Sequence, residues 1–122
     1  MFGRRDQHLE TEQLARKAAE AASEKQASDI VMLDMRGVCT FTDYFIICSG
    51  DTGRQIEAIC EEIDQVMGRE GIVPRHREGT IDSGWMLTDF GDVVIHIFTA
   101  TEREYYKLDK LWSKATPLIR IQ

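Results

Sequence analysis

The chain has 122 residues, a formal net charge of −6 and a pI near 5.0, with 43% hydrophobic and 30% charged residues. This length allows one domain with its own core, and no apolar run approaches the ~20 residues needed to span a bilayer. The acidic balance argues against a general nucleic-acid binder, which needs a basic face to displace phosphate counterions. It permits a basic protein as partner, although mild acidity also serves solubility alone.

The N-terminal half begins with a helix and two strands. Its first residues include arginines but no apolar run after them, so they do not resemble a secretory signal. We interpret residues 1–8 as a flexible arm and residues 9–122 as the single domain. A stripe of alanines at helical spacing predicts a helix over residues 9–27. Residues 29–35 and 44–48 are apolar on both faces, which predicts two buried strands.

Residues 49–53 join the second predicted strand to the clearest helix of the sequence. Thr52 and Gln55 have the spacing of a capping box, in which each side chain reaches a free backbone N–H. A strand, a short turn with glycines and a helix also have the shape of a phosphate loop. The turn lacks the lysine of a P-loop and carries Asp51. A plain capped turn is therefore the alternative interpretation.

The C-terminal half contains a predicted hairpin. Residues 85–87 and 93–98 are β-rich runs separated by an Asp/Gly turn. The second run is apolar on both faces, which predicts an interior strand covered by helices. Before the hairpin, residues 72–77 predict a short edge strand, followed by a polar loop up to Gly84. After it, a short helix is predicted to begin near Thr101, which has capping-box spacing with the glutamate three residues later.

The last predicted element is an amphipathic helical segment that ends at Pro117. Its apolar positions are Leu108, Leu111, Trp112 and Ala115. The element order is then αββαβββαα. This order predicts an α/β (or α+β) fold in a single domain, with a mixed sheet of about five strands flanked by helices.

Candidate catalytic groups are few. Asp89 and Asp92 flank the hairpin turn, and paired carboxylates can hold Mg²⁺ for phosphoryl transfer; the alternative is that they cap their own backbone. His96 lies in an apolar strand without an adjacent nucleophile, which favours a buried histidine with one hydrogen bond over a catalytic base. We find no nucleophile–base pair and no cluster of metal ligands. The sequence therefore predicts neither an enzyme nor a cofactor site.

The three cysteines show no pattern of a metal or redox site. Cys39, Cys48 and Cys60 lack C-x-x-C spacing, so neither a disulfide framework nor a zinc site is expected. Cys48 lies in an apolar strand and Cys60 on an apolar helix face, and both are predicted to be small buried hydrophobic residues. This usage fits a reducing cytoplasm.

An aromatic and acidic surface is the remaining candidate for a functional site. Over residues 78–109, carboxylates outnumber the basic residues Arg103 and Lys107. Neighbouring helix positions point about 100° apart, so Tyr105 and Tyr106 cannot both face the core. Aromatic anchors among polar residues are typical of protein interfaces; the alternative is that most of these aromatics pack inward. The predicted partner-binding residues are Trp85, Asp89, Phe98, Glu102, Tyr105 and Tyr106.

Two ordered blocks of sequence carry a resemblance to a known family. The first is TDYFIICSG at residues 42–50, continued by Arg54 and Gln55. The second block comprises Trp85, Asp89, GDVVIHIF at residues 91–98, Glu102, Arg103, Tyr106, Leu108, Leu111 and Trp112. These blocks resemble the ribosomal silencing factor family, also called Iojap-like, over residues 9–117. The chain departs from the family at Thr88, where an aliphatic residue is usual, and in its longer N-terminal arm.

The resemblance implies a fold similar to nucleotidyltransferases, usually without their activity, and typically a homodimer. It implies binding to the large ribosomal subunit at ribosomal protein fourteen, a steric block of subunit joining, and repression of translation when nutrients are short. The expected protein is cytoplasmic, with no cofactor, no membrane contact and no sequence-specific contact with nucleic acid. The alternative from another class is a Mg²⁺-dependent nucleotidyltransferase-like enzyme that uses Asp89 and Asp92.

Overall fold

The computed structural model describes residues 4–106 and 115–121, with side chains described for residues 11–103 and 115–121. The elements in chain order are α1 (Arg4–Glu24), β1 (Ser28–Asp34), β2 (Tyr44–Gly50), α2 (Gly53–Arg69), β3 (His76–Thr80), β4 (Trp85–Asp89), β5 (Val93–Thr99), α3 (Ala100–Tyr106) and β6 (Thr116–Ile121). Among these described helices, none combines the length and the apolar character needed to cross a membrane.

The six strands form one mixed sheet in the order β3-β4-β5-β2-β1-β6. β2 and β5 pair in parallel at its centre, with Tyr44 opposite Val93 and Gly50 opposite Thr99. The other neighbouring strands are antiparallel. A parallel pair needs a crossover connection, which here contains α2 and the strands β3 and β4. The predicted single-domain fold with a mixed sheet is therefore confirmed, as is the interior position of β5.

One face of the sheet is covered by α1 and α2. The small residues Ala15, Ala18, Ala19, Ala21 and Ala22 of α1 are buried there. α2 adds the larger residues Ile56, Ile59, Cys60, Ile63 and Met67. They pack on the side chains that point to this face from the central strands, which include Ile30, Met32, Ile46, Ile95 and Ile97. The small alanines allow α1 to pack closely, and the larger side chains of α2 fill the space beside it.

The opposite face of the sheet carries a second apolar layer. It consists of the alternate strand residues Val31, Leu33, Phe45, Ile47, Val94 and Phe98. The loop between β1 and β2 contributes Phe41, whose ring lies 6.3 Å from that of Phe45 and stays 63% exposed. Trp85 and Leu87 of β4 pack at the margin of this layer. The predicted partner-binding residues of β4 and β5 therefore lie on the face away from α1 and α2.

Both edge strands differ from the sequence prediction. The sheet has six strands rather than about five because β6 occupies residues that were predicted to follow the last helix. Pro117 was interpreted as a helix stop, but it lies in β6 opposite Leu33, where an edge strand tolerates the missing N–H. At the other edge, β3 begins at His76 and takes up much of the predicted polar loop. Its side chains are all exposed, so no hydrophobic pattern marks it.

Two predictions concern the ends of the chain. α1 begins at Arg4, and so includes part of the segment that was interpreted as a flexible arm. The predicted apolar positions Leu108, Leu111 and Trp112 lie outside the described residues, whereas Ala115 is buried in the second apolar layer.

Candidate functional site: the Trp85 surface

The fold brings the beginning of β4 and the beginning of α3 together at one end of the sheet. Trp85 pairs with Phe98 across β4 and β5, and the Thr99 N–H donates to the Gly84 carbonyl at 2.9 Å. Glu102 follows in the first turn of α3. The Trp85 surface is defined here by the half-buried side chains of Trp85 and Glu102, with Gly84 between them.

Trp85 is held by the side chains of the neighbouring strands. Its ring lies nearly parallel to those of His96 and Phe98, at centroid distances of 6.4 and 6.3 Å and interplanar angles of 17° and 21°. Its indole N–H donates to His96 Nδ1 at 3.4 Å. The Phe45 ring of β2 packs 4.8 Å from the His96 ring. The indole is therefore oriented before any partner arrives, which reduces the side-chain entropy lost on binding.

His96 is itself buried, with 6% of its surface exposed. Burial lowers its pKa to about 4, so the ring is neutral near pH 7. Nδ1 then accepts the hydrogen bond from the indole N–H, and Nε2 carries the ring proton. Within the described part of the chain, Nε2 has no hydrogen-bond partner. The prediction of a buried histidine with one hydrogen bond is confirmed. The sequence alone did not identify Trp85 as the donor, because strand register decides that contact.

Glu102 is placed by a helix cap and by a glycine. Thr99 Oγ1 accepts a hydrogen bond from the Glu102 N–H at 3.3 Å. The first turn of α3 is therefore capped by Thr99, whereas the sequence predicted a cap at Thr101. Gly84 has a φ of +78°, and a Cβ built there would lie 2.6 Å from Glu102 Cγ and 3.0 Å from Thr99 Oγ1. The Glu102 side chain therefore packs over the residue that immediately precedes Trp85.

The other predicted partner-binding residues lie elsewhere or inside the core. Phe98 is 0% exposed, so it supports Trp85 and presents no surface of its own to a partner. Asp89 lies at the opposite end of β4, about 13 Å from Trp85 at the usual strand rise per residue. It faces the same side of the sheet but does not join the Trp85 surface. The side chains of Tyr105 and Tyr106 lie outside the described residues.

At both candidate sites, for phosphate and for Mg²⁺, the described side chains bond to the backbone of their own turns. Asp89 Oδ1 accepts a hydrogen bond from a turn N–H at 2.7 Å, as the backbone-capping interpretation predicted. Thr52 Oγ1 accepts from the Gln55 N–H at 3.1 Å, and Gln55 Oε1 accepts from the Asp51 N–H at 2.6 Å. The turn before α2 is thus a capped turn. Over the described residues, no group of three or more His, Cys, Asp or Glu side chains could hold a metal ion.

Arg103 is a residue of this region whose role the sequence did not indicate. Its guanidinium donates to Ser49 Oγ at 3.0 Å and to the Asp29 carbonyl. It therefore connects α3 to the end of β2 and to the beginning of β1. The available sequence signal was an arginine within an otherwise acidic run, next to the predicted Glu102.

Known proteins share the sequence of this chain over most of its length. The family described as ribosomal silencing factor during starvation matches residues 8–122. A Bacillus subtilis protein named ribosomal silencing factor RsfS is 45% identical over 98 residues, which are 80% of this chain and 83% of that protein. The chloroplastic protein Iojap of Zea mays is 35% identical over 113 residues, which are 93% of this chain and 49% of that protein.

Solved structures share its fold. A crystal structure of a Chromobacterium violaceum protein has a TM-score of 0.79 at 28% identity, covering 84% of this chain and 85% of that one. A second crystal structure, from Bacillus halodurans, has a TM-score of 0.73 at 40% identity, covering 83% of this chain and 94% of that one. With a family match that runs from residue 8 to the last residue, the chain belongs to the ribosomal silencing factor family.

Proposed function

We propose that this protein silences translation by binding the large ribosomal subunit and blocking its joining to the small subunit. The observation that carries the proposal is the family match over residues 8–122, together with relatives named ribosomal silencing factor. In the proposal, the contact on the large subunit is ribosomal protein fourteen. The protein acts in the cytoplasm, where ribosomes work, and represses translation when nutrients are short.

The Trp85 surface is the proposed centre of this contact. A standard stable interface buries about 800 Å² on each partner, which one face of a 122-residue domain can supply. Trp85 suits the role of anchor because large aromatic residues with a fixed orientation dominate binding energy. Tyr105 and Tyr106 remain predicted contacts beside it.

The charge around Trp85 suits a basic partner. Glu102 packs beside it, and Asp82 is exposed in the turn that leads into β4. Rim carboxylates of this kind accelerate encounter with a positively charged protein and make association depend on salt. Asp89 is proposed to add to this attraction from the far end of β4 rather than to make the central contact.

The proposed mechanism is steric and needs no catalytic group, metal or cofactor. The nucleotidyltransferase alternative would use Asp89 and Asp92 as Mg²⁺ ligands, but Asp89 Oδ1 is engaged with the backbone of its own turn. Calorimetry with nucleotide, with and without Mg²⁺, separates the two functions. Tight Mg²⁺-dependent binding that disappears in Asp89→Asn and Asp92→Asn would favour the enzyme.

We also propose that the protein forms a homodimer. Phe41 is 63% exposed and Val38 37% exposed, in the loop next to the second apolar layer of the sheet. Burying such residues against a second copy is favourable because apolar surface leaves water. Sedimentation at micromolar concentration tests the dimer, and a single species of 14.0 kDa would count against it.

Gradient sedimentation of purified ribosomal subunits tests the silencing function. The wild-type protein should move with the large subunit and reduce the fraction of joined ribosomes. Trp85→Ala should weaken binding by about 2 kcal/mol, or about thirtyfold. Glu102→Lys should weaken it most at low salt, where unscreened charge matters most. The matched control is Glu61→Lys, which makes the same charge change at an exposed site of α2 on the other face.

Two results distinguish a wrong function from a wrong site. If saturating wild-type protein leaves subunit joining unchanged, the silencing function is wrong. If it blocks joining and Trp85→Ala blocks it equally well, the function stands and the Trp85 surface is not the contact. Circular dichroism of each variant confirms that a lost effect does not come from unfolding.

A further inference from the structure

Side-chain contacts tie the described part of α3, Ala100–Tyr106, to the end of the sheet. Short helical segments in proteins owe most of their stability to tertiary contacts of this kind. Arg103 makes two of them, because its guanidinium donates to Ser49 Oγ at 3.0 Å and to the Asp29 carbonyl.

The two acceptors of Arg103 belong to the framework of the sheet. Ser49 is 3% exposed and lies in β2, opposite Phe98 of β5 and Ser28 of β1. Asp29 has a φ of +48°, a backbone conformation that is unusual for a residue with a side chain. A charge-assisted hydrogen bond to its carbonyl stabilises this conformation. Arg103 thus fastens α3 to two strands at once.

We propose that Arg103 is a positioning residue for the Trp85 surface, which it serves by fixing the orientation of Glu102. The inference rests on the proposed function, because it assumes that this surface binds a basic protein. Arg103 and Glu102 are adjacent on α3 and point about 100° apart, so a guanidinium held against the sheet leaves the carboxylate on another side of the helix. Glu102 is then presented to the partner from a helix whose rotation Arg103 restrains.

The same arrangement affects the direction in which the positive charge of Arg103 points. A free arginine beside Glu102 would repel a basic partner and reduce electrostatic steering. Bound to the Asp29 carbonyl and Ser49 Oγ, the guanidinium of Arg103 is directed toward the sheet and away from an arriving protein. Because both acceptors are neutral, the guanidinium keeps its charge, but in the proposal this contact holds that charge away from the side of α3 that presents Glu102.

A double-mutant cycle tests positioning against direct contact. Because Ser49 is buried, Ser49→Ala can influence a partner only through the groups that Ser49 touches. We expect Arg103→Met to weaken binding to purified large subunits about tenfold and Ser49→Ala about threefold, with little further loss when both are combined. Ser28→Ala, which removes a hydroxyl opposite Ser49, is the control and should bind as the wild type does.

Hydrogen exchange of the amides of α3 gives a readout that does not need the ribosome. Exchange at Glu102 and Arg103 should be faster in Arg103→Met and Ser49→Ala than in the wild type, while the core strands keep their protection. If Arg103→Met unfolds the chain, Arg103→Lys, which keeps the charge without the planar fork, takes its place and should show smaller changes in the same direction.

Each outcome decides a different point. Unchanged exchange in α3 overturns the positioning role, whether or not the protein binds ribosomes. Full binding by Ser49→Ala, or losses that add independently in the double variant, also overturns it. Absence of wild-type binding to large subunits refutes the proposed function instead, and the exchange result then decides the role of Arg103 alone.

Discussion

The indole N–H of Trp85 donates to Nδ1 of His96 at 3.4 Å, between rings that lie 17° from parallel. The two residues come from adjacent strands and sit on the same face as diagonal neighbours. This hydrogen bond exists only while Nδ1 is unprotonated. The anchor of the proposed contact is therefore linked to the neutral state of a buried histidine.

We expect the stability of the protein to decrease as the pH falls from 7 to 5. The pKa of His96 is about 4 in the folded chain and about 6.5 in an unfolded one, so the unfolded state binds more protons between these values. The contribution of neutral His96 to stability is fully present above pH 6.5 and is lost as the pH falls toward 4. The loss at pH 5 relative to pH 7 is about 2 kcal/mol. Urea denaturation at the two pH values measures it.

The variant His96→Gln separates the contribution of His96 to the pH dependence of stability from the contribution of carboxylates that titrate in the same pH range. The variant should be less stable at pH 7, because a glutamine fits the ring stack poorly. Between pH 7 and pH 5, its free energy of unfolding should nevertheless fall by about 2 kcal/mol less than that of the wild type. The same pH dependence in both proteins would show that His96 is not the titrating group.

A second prediction concerns the junction between α1 and α2. Gln55 Nε2 donates to the Lys25 and Gln26 carbonyls at 3.1 and 2.9 Å, and its Oε1 accepts from the Asp51 N–H. Gln26 has a φ of +63°, so these bonds hold a strained turn. Gln55→Ala should therefore lower the free energy of unfolding by about 1–2 kcal/mol.

The control for Gln55→Ala is Gln65→Ala in the same helix. Gln65 is exposed, and alanine there should be neutral or slightly stabilising because of its higher helix propensity. Chemical denaturation of both variants gives the comparison. Equal changes in stability would mean that the side-chain bonds of Gln55 contribute nothing beyond propensity.

The central elements could be predicted because local patterns and packing agree there. β2 and β5 are apolar on both faces, and α2 has a wide apolar stripe behind a Thr52–Gln55 cap. Burial on both faces leaves few other arrangements for such runs. The cap is confirmed, because Thr52 Oγ1 and Gln55 Oε1 each accept a hydrogen bond from a backbone N–H, for Gln55 that of Asp51.

The edges of the sheet and the details of the site could not be predicted in the same way. β3 is exposed throughout, so no hydrophobic pattern marks it in the sequence. It is a strand because it pairs with β4. β6 contains Pro117, which usually signals the end of an element. The contact of Arg103 with Ser49 joins positions far apart in sequence, and no local rule relates them. The burial of Phe98 likewise depends on the pairing of β5 with strands that are distant in sequence.

Thiol reactivity provides a third prediction. Cys39 is half-buried, whereas Cys48 and Cys60 are buried, and burial raises the pKa of Cys60 and raises that of Cys48 to about 12. Because the thiolate is the reactive form, alkylation of Cys48 at pH 8 should be about a thousandfold slower than that of an ordinary thiol. Mass spectrometry after iodoacetamide treatment should find Cys39 modified first. Early modification of Cys48 in the folded protein would contradict the burial of β2.

Two glycines with nearly the same positive φ allow a test of how β3 supports Trp85. Gly79 has a φ of +82° and Gly71 a φ of +79°. A Cβ on Gly71 would meet nothing within 4 Å, whereas a Cβ on Gly79 would lie 2.1 Å from the Trp85 carbonyl oxygen and 3.2 Å from Met86 Cα. A side chain is therefore disfavoured by a positive φ at both sites, but only at Gly79 would it also collide with β4.

Gly71→Ala should lower the free energy of unfolding by about 1–2 kcal/mol, the cost of a left-handed conformation with a side chain. Gly79→Ala should cost about 2 kcal/mol more, because β4 must move away at Trp85 or β3 must separate from it. The displaced indole should also lose its bond to His96, so its N–H resonance in a ¹⁵N–¹H spectrum should shift in Gly79→Ala and stay in place in Gly71→Ala. Urea denaturation and this spectrum together test the idea. Equal costs, with the indole resonance unmoved in both variants, would show that Gly79 is needed only for its own turn and does not set the position of Trp85.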